Sequence, residues 1–226
     1  MRASLYVVLT IVAAAAVPRL AAAQKPFEGS ITYDIVGGDQ QMALTVTTRG
    51  AKARQWLDNP AAPEVSRANY QLVDFTTGEA MYVIPAMETY MVTKLKGFAD
   101  APSDEPPATR AADIVATARQ ETIAGLRCTV YVQQSKPGNE WCLTSGRASA
   151  KGADLGDLSG ETPAIGGGMP GLFRAFLRGT VVLRSRLTDR NGRTMTMIAT
   201  KVDRATPPAS LFEVPAGFQE VRMSAP

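Results

Sequence analysis

The sequence predicts a mainly β protein: one curved antiparallel sheet of about eleven strands, with a short helix over its concave face. Three observations carry this. Apolar and polar residues alternate with a period of two in one short segment after another. Tight turn signals such as Gly37-Gly38-Asp39 and Asp189-Arg190-Asn191-Gly192 stand between them. No strand–helix–strand alternation occurs, so a parallel sheet is not expected. An open sheet of that size curls, and a concave apolar face needs a cover.

The segments follow in order. Residues 27–36 place Ile31, Tyr33 and Ile35 on one face and Ser30, Thr32 and Asp34 on the other. Residues 41–47 alternate likewise through Met42, Leu44 and Val46 and complete a hairpin. A third strand spans 51–57, where Arg49, Lys52 and Arg54 read as the solvated edge of a strand. Three more strands are expected at 66–75, 80–85 and 88–95. Residues 97–110, with three prolines and three acidic residues, read as a long loop. Residues 113–122 fit helix or strand, and the alternation of Ile114, Ala116 and Ala118 favours strand.

Residues 125–143 hold both cysteines. Cys128 and Cys142 lie in two apolar runs separated by Ser135-Lys136-Pro137-Gly138-Asn139, the pattern of a hairpin. With only two cysteines, a disulfide would close a loop of about 15 residues, worth about 3 kcal/mol in the chain-entropy model. A reactive thiol pair is the other reading. The absence of C-x-x-C and of histidine favours the structural bond.

Past an irregular glycine-rich stretch at 146–163, Pro170 opens a short helix that Gly179 ends. Leu172, Phe173, Phe176 and Leu177 form its apolar face, opposite Arg174 and Arg178. Strands at 180–188 and 193–202 follow. A turn-rich end then offers Leu211, Phe212, Val214 and Phe218 as core caps.

The first 23 of the 226 residues read as a signal peptide. Arg2 precedes 13 mostly apolar residues, Leu5 to Val17, and Ala21-Ala22-Ala23 offers a cleavage site before Gln24. A helix of that run spans about 20 Å, too short for a bilayer core of about 30 Å. No cysteine stands there for lipid attachment. Residues 24–226 are then a single domain in the periplasm or outside the cell. Removing Arg2 and Arg19 lowers the net charge from +3 to +1, which argues against nucleic acid as a partner.

Other motifs weigh less. Gly166-Gly167-Gly168-Met169-Pro170-Gly171 matches G-x-G-x-x-G, but outside a strand–helix–strand unit it reads as a hinge, Gly166, Gly167 and Gly168, beside the helix. Met87/Met91 and Met195/Met197 would pair on strand faces as core packing rather than a copper site. Asp154, Asp157 and Glu161 fit no calcium-loop spacing. No histidine, G-x-S-x-G, S-x-x-K or phosphate loop is present, so no catalytic residue, metal site or cofactor is assigned.

Four segments carry a family resemblance. They are Phe27-Glu28-Gly29-x-Ile31-x-Tyr33, Ile123-Ala124-Gly125-x-x-Cys128-x-x-Tyr131, Glu140-Trp141-Cys142, and Leu211-Phe212-Glu213-Val214-Pro215-Ala216-Gly217-Phe218. Across most of residues 24–226 the chain resembles an exported bacterial family of unknown function, numbered 4412. That family is similar, more distantly, to the LolA/LolB-like periplasmic lipoprotein carriers. The resemblance implies an unclosed β half-barrel whose helical lid covers an apolar cavity for acyl chains, by analogy of fold alone.

The expected function is a non-catalytic periplasmic protein that shelters a hydrophobic small molecule or an acylated protein. Its ligand would lie against Leu172, Phe173, Phe176 and Leu177. Peripheral contact with envelope membranes or envelope proteins is the accompanying expectation. The alternative is an envelope interaction module whose concave face is filled by its own side chains.

Overall fold

The computed structural model describes residues 25–37, 40–94, 114–144, 172, 175–176, 179–188 and 191–221. Twelve strands run in chain order: β1 (Gly29–Gly37), β2 (Gln40–Arg49), β3 (Lys52–Asp58), β4 (Tyr70–Asp74), β5 (Glu79–Ile84), β6 (Thr89–Lys94), β7 (Ile114–Ile123), β8 (Leu126–Gln133), β9 (Glu140–Thr144), β10 (Val182–Thr188), β11 (Thr194–Asp203) and β12 (Gln219–Glu220). They form one sheet in the order β12-β6-β5-β4-β3-β2-β1-β11-β10-β9-β8-β7. Its two edges, β12 and β7, do not pair, so the sheet is an unclosed half-barrel. Antiparallel hairpins build it outward in both directions from β1, which joins β2 on one side and β11 on the other.

The eleven expected strands are present, with three differences. A twelfth is added where Gln219 and Glu220 pair in parallel with Thr89 and Tyr90. Two residues are too few to show a period, and only backbone bonds such as Gln219 N–H to Glu88 O reveal this strand. The strand expected at 66–75 begins at Tyr70, and a single helical turn, α1 (Glu64–Arg67), occupies its start. Pro63 sets the extended backbone before that turn, and none of the turn's residues is buried. The cations expected on a solvated edge lie instead beside or within β3, an interior strand. The Arg54 guanidinium stacks 4.0 Å from the Tyr70 ring centre, and Arg49 donates to Pro207 O at 3.0 Å.

The main core lies on the inner face of β1, β2, β11, β10 and β9. Ile31, Tyr33, Leu44, Val46, Ala199, Leu183 and Trp141 are buried there. Met197 is buried and Met195 is half-buried, whereas Met87 sits exposed in the helical turn Pro85–Met87. Met87 and Met91, which lies in β6, therefore share no strand face. A smaller cluster of Tyr70, Leu72 and Val83 is capped by Val214 and Phe218 from the C-terminal segment. Gly29 opens β1 at φ +138°, where a Cβ would stand 2.1 Å from the Asp203 carbonyl oxygen. The glycine of the Phe-Glu-Gly motif is therefore needed for β1 to meet the end of β11.

Candidate functional site

Leu172, Ala175 and Phe176 are helical and buried, and all three join the main core. The helix end is fixed by local chemistry. Thr180 N–H donates to Ala175 O at 2.8 Å and Gly179 N–H to Phe176 O at 2.9 Å, with Gly179 at φ +73°. This is a Schellman ending, and the left-handed position takes glycine without a side-chain penalty. Phe176 reaches the start of the sheet. Its ring centre is 5.8 Å from that of Phe27, tilted by 42°, and its carbonyl also accepts Phe27 N–H at 2.9 Å.

Tyr33 lies in the same core, with no solvent exposure. Its hydroxyl donates to Val182 O at 2.9 Å, tying β1 to the residues that follow the helix. Burial pushes the Tyr33 phenol well above its ordinary pKa. Burial also raises Tyr70, with the Arg54 guanidinium acting the other way. Tyr33, fully buried and bonded to Val182 O, is not placed to exchange protons with water.

The outer face carries the charge. Cys128 and Cys142 form the disulfide, with Cα atoms 5.4 Å apart. Arg184 pairs laterally with Cys142, and Glu121 with Cys128. Arg184 and Glu121 then make two hydrogen bonds, at 2.5 and 2.9 Å, along the same diagonal as the disulfide. Arg119 joins Glu140 at 2.7 Å and Glu121 at 3.3 Å. Both cysteines are buried. Opposite charges are matched in this network, and it braces the β7–β10 end of the sheet.

Leu172 and Phe176, two of the four residues expected to face a ligand, come together against the sheet. Phe173, Leu177 and the expected hinge Gly166, Gly167 and Gly168 fall outside the described residues, as do the signal peptide and the loop at 97–110. Phe27 is the partner of the helix that sequence reasoning did not assign, Tyr33 bonds the residues just after the helix, and Ala175 is a buried helix residue left off the expected apolar face. Phe27 and Tyr33 carry a signal in hindsight, because both belong to the Phe-Glu-Gly-x-Ile-x-Tyr segment.

The family described as a domain of unknown function, DUF4412, matches residues 27–218. No curated protein matches the chain. Among solved structures it is similar to PNGF-II, at 15% identity and a TM-score of 0.40, with 87% of this chain and 31% of that one covered. It is also similar to MucB in complex with MucA(peri), at 13% identity and a TM-score of 0.42, with 88% and 56% covered. The chain thus spans about a third and about half the length of these two proteins.

Proposed function

The chain belongs to the DUF4412 family, for which no activity is described, and from that premise we propose a non-catalytic binding protein of the cell envelope. It shelters an apolar ligand, an acyl chain of a lipid or of an acylated protein, between the helix and the inner face of the half-barrel. One observation carries this reading: Leu172, Ala175 and Phe176 are helical and join the main core, with Phe176 seated on Phe27. Among the described residues the helix has one backbone hydrogen bond to the sheet's leading segment, Phe27 N–H to Phe176 O. The described helix residues Leu172, Ala175 and Phe176 add apolar contact, which an acyl chain can replace at about 0.8 kcal/mol per buried CH₂. The expected export signal at residues 1–23 supports binding in the periplasm or outside the cell.

Displacement of an acyl-sensitive fluorescent dye by dodecanoate tests the proposal. Saturable dye uptake by the folded protein, reversed by dodecanoate, is the expected result. A second reading rests on the burial of Leu172 and Phe176 themselves. In it the inner face is filled permanently and the protein is an envelope interaction module. Failure of the folded protein to take up dye would select that reading.

A further inference from the structure

Resting on that reading, we infer that a cleft at the C-terminal end of the helix holds the head of an anionic single-chain amphiphile. The cleft encloses about 570 Å³. Lys25, Arg127 and Arg204 line it, from the segment before β1, from β8 and from the residue after β11. Elements far apart in sequence thus deliver three cations to one place. Among the described residues none of the three has an ion-pair partner. The single carboxylate in the lining, Glu28, already accepts Gly50 N–H at 3.1 Å.

Two hydroxyls add to the polar side. Thr144 lines the cleft, and its oxygen accepts Val181 N–H at 2.9 Å, which leaves its own O–H to donate. Thr180, between the cleft residues Gly179 and Val181, has a buried hydroxyl oxygen with no hydrogen-bond partner. Three cations and a free hydroxyl donor suit a carboxylate or phosphate oxyanion.

The floor argues for an amphiphile over a free anion. Phe27, Leu126 and Val181 supply apolar surface in the same cleft. Phe27 is also the residue on which Phe176 rests. A chain attached to a head at Lys25, Arg127 and Arg204 therefore runs directly into the Phe27–Phe176 contact, where the helix meets the sheet. Head and tail are recognised in one continuous path.

The test compares dodecyl phosphate with dodecyl maltoside, equal in chain and different in head charge, by titration calorimetry on the exported chain. The wild type should prefer the phosphate by about tenfold at low salt, since each exposed cation contributes about 1.5- to 5-fold. The preference should shrink as salt screens it. In the triple variant Lys25→Gln, Arg127→Gln, Arg204→Gln the ratio of the two affinities should fall to near one. Equal affinities in the wild type, or an unchanged ratio in the variant, would overturn the headgroup site while the acyl-binding reading stands. Inorganic phosphate binding as tightly as dodecyl phosphate would also overturn it, in favour of a free-anion site. If neither amphiphile binds, the proposed function itself falls, and this inference with it.

Discussion

Replacing Phe176 by alanine separates packing from hydrogen bonding at the helix. The Phe176 side chain is 2% exposed and belongs to the main core. The Phe27 N–H to Phe176 O bond and the Gly179 and Thr180 bonds that end the helix are all backbone, so the substitution leaves them in place. The loss is then that of a buried ring and the cavity behind it, about 3–5 kcal/mol. The tilted contact with Phe27 supplies about 0.5–1.5 kcal/mol of that. Urea unfolding followed through the buried Trp141 reads it out. With an m-value of about 2 kcal/mol per M, a 4 kcal/mol loss lowers the midpoint by about 2 M. Dodecanoate at 100 times its dissociation constant should restore about 2.7 kcal/mol by filling the space. A midpoint shift below about 0.5 M would refute the packing argument. A full shift with no restoration by dodecanoate would refute the claim that an acyl chain takes this position.

Two further perturbations test the frame. The Cys128–Cys142 bond joins residues 14 apart, so the double substitution to alanine should cost about 3 kcal/mol and lower Tm by about 6–12 °C. A change below about 2 °C on calorimetry would mean that the Arg184–Glu121 brace fixes this hairpin unaided. The raised Tyr33 phenol makes stability fall on the alkaline side. Below about pH 10 the phenol is neutral in both states and the folded protein keeps its full stability. Above that the unfolded chain releases the proton and the folded one holds it, so stability drops by about 1.4 kcal/mol per pH unit until the folded phenol also ionises. Tyr33→Phe should remove that much of the slope, at a cost of about 1 kcal/mol at neutral pH. An equal alkaline slope in wild type and variant would contradict it.

The strands were legible because one face of each is buried, and burial writes a period of two into the sequence. Ile31, Tyr33 and Ile35 against Leu44 and Val46 are an example. The helix end was legible for a different reason: Gly179 is required by its left-handed backbone, which is a local demand. Features held by distant partners left no such mark. Arg184 and Glu121 are 63 residues apart, and each alone looks like a surface charge. Arg54 finds the Tyr70 ring only because β4 folds against β3. The turn α1 has no buried face, so no apolar period announced it. Phe27 as the seat of Phe176 is likewise a long-range fact, set by where β1 begins relative to the helix.

The central claim is that the inner face of this half-barrel receives an acyl chain beneath the helix. Native mass spectrometry of the protein, purified gently without denaturant or detergent, tests it most directly. The account predicts a bound mass in the lipid or acylated-protein range that disappears on solvent extraction. A protein that emerges empty, and stays empty after incubation with acyl chains, would contradict it.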